Sequence, residues 1–192
     1  MRQRTVMAIV VMLAGGASLA PGAVMRVGPE RAYTKIRDAV SVAHDGDTVE
    51  VDSGYYLGSQ GWTPIPLNNF TIRGVGPTRP VLDAGDWNLF GKGIFIISGT
   101  NVTVENFEFI NCKCDDRNGA GIRHEGTDLI VRNCCFRDNE EGILTVGGAS
   151  NDILIEYCEF DHNGYGNGQS HNMYIGPCGR FTLRYCYSHD TR

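Results

Sequence analysis

Positive charge is scarce in this chain: 17 Lys and Arg stand against 22 Asp and Glu, a formal net charge of −5. No basic stripe is present, which argues against nucleic acid as a partner. Long apolar runs are also scarce. The one candidate is Thr5–Ala14, behind basic Arg2 and Arg4 and ahead of the small residues Gly15 to Ala20. It is too short for a comfortable membrane span and has the layout of a secretory signal peptide. We therefore expect a signal segment over 1–23, cleaved within Ala17–Ala23, and no membrane span in what remains. Removing 1–23 takes the basic residues from 17 to 15 and no acid, leaving a net charge of −7. The chain has no C-x-x-C pair. Cys112-Lys113-Cys114 is C-x-C, with no His/Cys pair following at zinc spacing, so no metal ligands are assigned to cysteine. Seven cysteines is an odd number, which leaves at least one thiol unpaired.

What the sequence does have is a repeat. Phe70-Thr71-Ile72-Arg73 returns as Val102-Thr103-Val104-Glu105, Leu129-Ile130-Val131-Arg132, Ile153-Leu154-Ile155-Glu156 and Phe181-Thr182-Leu183-Arg184, at intervals of 32, 27, 24 and 28 residues. Alternating β-rich phrases at this period read as stacked strands of a solenoid. The fourth position alternates in sign from Arg73 to Arg184. Stacked in parallel about 4.8 Å apart, those charges form a ladder of opposites. A second phrase opens at Gly93, Gly121, Gly142 and Asn172. There Gly or Asn suits a corner at positive φ, and Phe95, Arg123, Leu144 and Tyr174 are expected to point outward. A third opens at Asn106, Asn133, Tyr157 and Tyr185, giving each coil about three strand pieces. Cys134, Cys158 and Cys186 fall at one coil position and are expected to form an inward ladder of thiols. A disulfide between neighbouring coils is the alternative in an exported protein. Asn69 and Asn101 fit the N-glycosylation pattern but also precede strands, where Asn is the expected corner residue.

The entry segment Tyr33–Ala43, followed by Gly46-Asp47-Thr48-Val49-Glu50-Val51 and Gly54-Tyr55-Tyr56, resembles the pectin-lyase-like superfamily. The resemblance runs from Tyr33 onward and implies an all-β, right-handed parallel β-helix of about five coils. Ile36, Val40 and Ala43 share one face of a short N-terminal helix that caps its first open end. One β-helix domain is expected over 24–192. It stops in mid-coil, so further coils or a partner are expected to cover its C-terminal end.

Loop lengths locate a cleft. The same corner carries ten residues at Asn111–Ala120, three at Asn139–Glu141 and nine at Asn163–His171, so two walls flank a low floor. The candidate catalytic set is His171 as a base, Glu141 one coil earlier to orient its ring, and Tyr174 to shuttle a proton or stack on a sugar. The candidate substrate-binding set is Arg123, Lys92, Arg117 and Tyr165. No resident cofactor is expected, though Asp115-Asp116 offers oxygen ligands of the kind calcium takes. Asp138, His162 and Asp190 align in a further polar stack at the corner after the third strand, with Arg137, Asp161 and His189 one position earlier. The Gly-His-Gly and Arg-x-Lys signatures of the superfamily's pectin-hydrolysing members are missing. The resemblance therefore points to polysaccharide lyases or C5-epimerases, in a secreted, periplasmic or cell-envelope protein. A non-catalytic surface module recognising glycans or proteins is the alternative reading.

Overall fold

The computed structural model describes residues 22–85, 91–166, 168 and 170–192. The expected signal segment lies outside these residues except for Gly22 and Ala23. Ala23 is already tied into the fold: its N–H donates to Asp47 Oδ1 at 2.7 Å and its carbonyl accepts from Thr48 N at 2.8 Å.

Three parallel sheets wind into a right-handed β-helix. The first holds seven strands: Val24–Val27, Thr48–Asp52, Thr71–Val75, Thr100–Glu105, Thr127–Arg132, Gly148–Glu156 and Cys178–Arg184. The second holds six: Tyr55–Leu57, Val81–Asp83, Glu108–Ile110, Cys135–Arg137, Glu159–Asp161 and Tyr187–His189. The third holds five: Thr63–Ile65, Gly93–Ile97, Ala120–His124, Glu141–Thr145 and Met173–Tyr174. The solenoid therefore starts earlier than the expected five coils, because Val24–Val27 pairs in parallel with Thr48–Asp52. The one α-helix among the described residues, Ile36–Val40, is shorter than its apolar pattern suggested. It buries Ile36, Ala39 and Val40, with Ala43 half-buried beside them.

The charge ladder is present and longer than the repeat phrase revealed. Arg26, Glu50, Arg73, Glu105, Arg132, Glu156 and Arg184 are in register across all seven strands of the first sheet. Glu50 accepts from Arg26 at 3.1 Å and from Arg73 at 2.7 Å, and Glu156 lies between Arg132 and Arg184. Each rung joins opposite charges across a parallel pair, so a slip by one coil would place like charges together.

Corners are made by single residues in the left-handed region. Asn69, Asn101 and Asp128 (φ 51, 56 and 56) mark one; Asn106, Asn133, Tyr157 and Tyr185 (φ 62, 51, 56 and 56) another; Asn111, Asp138, His162 and Asp190 (φ 59, 58, 52 and 46) the third. Asn suits this backbone because its short amide bonds locally, and Asn101 Nδ2 donates to Asn69 Oδ1 at 2.8 Å. Tyr157 and Tyr185 instead stack their rings, with centroids 4.9 Å apart. The second repeat phrase needs correction here. Gly93, Gly121, Gly142 and Asn172 do not lie in the left-handed region; Gly142 is glycine because a Cβ there would sit 2.3 Å from the Asn172 carbonyl oxygen. The register also shifts by one, pairing Gly93 with Ala120 and Phe95 with Ile122. Phe95 consequently points into the core, edge-on to Phe107 and Phe109, and Ile96 takes the outward place beside Arg123. Burying an aromatic ring outweighs keeping the glycines aligned.

Inside the solenoid, Phe109, Phe136 and Phe160 stack with centroids 4.9 and 5.0 Å apart and are fully buried. Cys134 and Cys158 line the core and Cys186 is half-buried below them; all seven cysteines are free thiols. At the last strand of the first sheet, Phe181 and Leu183 take the inward register of Ile153 and Ile155, yet are 40% and 42% exposed.

Candidate functional site

The two walls and the floor are held together by three buried asparagines and two buried glutamates. Asn139, Asn163 and Asn172 are at most 4% exposed. Asn139 Nδ2 donates to the Phe109 carbonyl at 3.0 Å, Asn163 Nδ2 to that of Phe136 at 2.9 Å, and Asn172 Nδ2 to that of Phe160 at 3.3 Å. Asn163 Oδ1 accepts from Asn139 Nδ2 at 3.0 Å, and Asn172 Oδ1 from Asn163 Nδ2 at 2.8 Å. Each amide thus satisfies a carbonyl that the corner would otherwise leave buried without a partner.

The neighbouring glutamates hold opposite walls. Glu140, 3% exposed, accepts from the backbone N–H groups of Cys114 and Gly119, both at 2.8 Å, and so closes the first long loop. Glu141, 1% exposed, accepts from the His171 backbone N–H at 3.0 Å at the end of the second. Glu141 shares the inward register of Ile143, so it lies beneath the floor and not on it. Burial pushes its carboxyl up to about 7, with the nearby Glu140 charge adding to the effect and the His171 N–H opposing it.

The expected contact between Glu141 and His171 is therefore made through the backbone. The His171 imidazole lies parallel to the Tyr174 ring, centroids 6.3 Å apart. Tyr174 is in outward register with Leu144 and Arg123, two strand spacings from Arg123, or about 10 Å. The Arg123 guanidinium donates to Glu125 at 2.6 Å. On the first wall, Lys92 pairs with Asp116, whose other carboxylate oxygen lies 2.9 Å from the Cys114 thiol. These two contacts hold the Asp116 carboxyl down to about 2. Lys92 and Cys114 thus occupy both carboxylate oxygens of Asp116.

Arg117 and Tyr165 join the two walls. The guanidinium of the first lies 4.4 Å from the ring centroid of the second, across the floor. A pocket of about 350 Å³ lies between the walls, lined by Lys113, Asp138, Glu140, Tyr165 and Arg192 among others. The predicted set is thus divided in two. Tyr165 lines the pocket between the loops and Arg117 packs on its ring, while His171, Tyr174 and Arg123 lie along the third sheet. Sequence reasoning missed Lys113 and the loop-holding role of Glu140. The Glu140-Glu141 pair in a three-residue turn was the available signal, since adjacent residues there must point apart.

A long-short-long loop pattern on a parallel β-helix, tied by a buried Asn ladder, defines a repeat scaffold carrying one modified coil. The family model for the right-handed β-helix region matches residues 57–192, more than half of the chain, and the chain belongs to that family. No curated protein matches it. Among solved structures, it is similar to a pectin methylesterase variant crystallised with a hexasaccharide. That likeness has 15% sequence identity and a TM-score of 0.44, covering 76% of this chain and 56% of the other, so this chain spans little more than half the length of that enzyme. Among the described residues, no helix is long and apolar enough to cross a membrane.

Proposed function

We propose that this protein binds an acidic polysaccharide in the pocket between its two loop walls. The observation that carries the reading is the Arg117–Tyr165 bridge over a pocket of about 350 Å³ edged by Lys113 and Arg192. Clefts of this size with an aromatic surface and a few placed charges are the usual form of a small-ligand site. Tyr165 is half exposed and offers its free face to a sugar ring, while the cations meet a uronate carboxylate. Lys92, Arg123 and Arg192 are paired with Asp116, Glu125 and Asp138 and would have to exchange those partners for a substrate carboxylate.

In the enzymatic form of this reading the bound chain runs from the pocket onto the third sheet, where His171 removes the C5 proton. In a lyase the C4–O bond then breaks and Tyr174 protonates the leaving oxygen, and in a C5-epimerase Tyr174 returns a proton to the opposite face of C5. Glu141 then acts by placing His171 through its backbone N–H, and as a buried carboxyl that exchanges its proton near neutral pH. The second reading, a non-catalytic glycan-recognising module, is favoured by the burial of Glu141 and its engagement in holding the loop. Export to the cell surface or periplasm belongs to both forms and rests on the basic, then apolar, segment before residue 23.

Incubation of the full chain with a panel of uronate-containing and neutral polysaccharides separates the forms. Accumulation of an unsaturated or epimerised product, lost in His171→Ala with folding intact, supports the enzyme. Retention of acidic polysaccharide without product supports the module. No interaction with any member of the panel removes the reading.

A further inference from the structure

At the corner that leads into the loop walls, the last two coils place two dipeptides of opposite order on top of each other. Asp161 is in register with His189 across the second sheet, and the next residues, His162 and Asp190, are the left-handed corners of the same two coils. The result is a two-by-two checkerboard of carboxylates and imidazoles. Donor atoms of Asp161, His162 and Asp190 all lie within 4.8 Å of one another. His189 Nδ1 lies 2.8 Å from Asp190 Oδ2 and 3.4 Å from Asp161 Oδ1. His162 Nδ1 is in contact with Asp161 Oδ1.

A second observation concerns how His189 is held. Its Nε2 faces Glu159 Oε1 at 3.3 Å, and its ring stacks on Tyr187 with centroids 4.2 Å apart. Both ring nitrogens of the ion-free His189 face carboxylates, which only accept, so Nδ1 donates to Asp190; an ion entering between the aspartates would take the place of that Nδ1 proton while the Nε2–H stays on Glu159. A carboxylate behind an imidazole whose other nitrogen meets the ion is the usual outer arrangement of metal-bound histidine. The nearest cations are spoken for: Arg192 donates to Asp138 at 2.7 Å, and Arg137 lies 3.7 Å from the other oxygen of the same carboxylate.

The geometry points to a divalent transition-metal site of the zinc class at Asp161, His162, His189 and Asp190, with Glu159 as a positioning residue. Two imidazoles and two carboxylates suit an ion that takes nitrogen and oxygen together, unlike calcium or magnesium, which take oxygen. In a tetrahedron with ligands at about 2.0–2.2 Å, donors lie about 3.4 Å apart. His189 Nδ1, at 2.8 and 3.4 Å from the two aspartates, stands around that spacing. The ion would tie two successive coils at their corner.

The test is a Co²⁺ titration of the full chain followed by visible absorption, with Zn²⁺ as competitor. The expected result is one Co²⁺ per chain with the spectrum of nitrogen and oxygen ligands, displaced by Zn²⁺. Asp161→Asn and His162→Gln should each weaken binding about tenfold or more, with circular dichroism unchanged. Glu159→Gln should weaken it about 10–100-fold, while the remote control Glu30→Gln leaves it as it was. An intense thiolate-to-cobalt band would place the ion on cysteine and overturn the assignment. So would the absence of binding, or an affinity indifferent to Asp161→Asn and His162→Gln.

Discussion

Replacing Glu141 with Gln should stabilise the protein at alkaline pH and do little at acidic pH. The carboxyl is 1% exposed and its folded-state value is raised to about 7, against an ordinary value of 4.5. The folded state thus holds this proton more tightly than the unfolded chain does. The associated stability is fully present below about pH 4.5 and is lost as pH rises through about 7. A gap of about 2.5 units at 1.36 kcal/mol each sets the loss at up to about 3 kcal/mol at pH 8. Gln is nearly isosteric with the protonated carboxyl, and its oxygen can still accept from the His171 N–H. It should therefore keep the loop contact while removing the charge. Urea unfolding of both proteins at pH 5 and pH 8 gives the comparison. The variant should come within about 1 kcal/mol of the parent at pH 5 and exceed it by up to about 3 kcal/mol at pH 8. A stability difference that is the same at both pH values, or a variant weaker at pH 8, would show that the carboxyl is ionised in a solvated setting.

Three other outcomes follow from buried groups. His124 is fully buried between Ile97 and Thr145 with neither ring nitrogen bonded, and burial lowers it to about 4. Its contribution is present above about pH 6.5 and is lost, by up to about 3 kcal/mol, as pH falls towards 4. Measured in the Glu141→Gln background, which removes the opposing trend, His124→Leu should flatten that acid limb; an unchanged limb would contradict the burial. Asn163→Ala deletes the middle of the Asn ladder and leaves buried amide and carbonyl groups unpaired, at about 2–4 kcal/mol, whereas the exposed Glu30→Ala should cost under about 0.5 kcal/mol; equal losses in chemical denaturation would count against the ladder. Native-state labelling should reach the half-buried Cys114, Cys178 and Cys186 first and spare Cys112, Cys134, Cys135 and Cys158, and mass mapping that finds Cys134 or Cys158 among the first labelled would refute the inward placement.

The stacking of the coils was legible because it rests on local chemistry repeated at each turn. A sign-alternating position survives in the sequence whatever the loops do, and Asn at a left-handed corner announces itself. Arg26 and Glu50 escaped notice because their strands precede the regular repeat and are separated by the helix. Phe95 was misplaced since a glycine before an apolar pair looks alike in two registers. Only tertiary packing decides which register buries the ring. The cleft was legible from loop lengths alone, but the direction of each side chain in it was not. Whether Glu141 faces solvent or core depends on one-residue alternation at a corner, where strand periodicity ends. That choice converts an expected exposed partner of the His171 ring into a buried anchor of its backbone.

The binding claim is tested most directly by calorimetric titration of a purified oligouronate into the full chain, beside Tyr165→Ala and Arg117→Ala. The account predicts measurable binding by the parent and a loss of about tenfold or more in each variant, as expected for removing an aromatic or Arg anchor worth over 1 kcal/mol. A neutral oligosaccharide of the same length should bind more weakly than the uronate. Equal affinity of the parent and both variants for the oligouronate would contradict the account, because the pocket between the walls would then not be where the sugar sits.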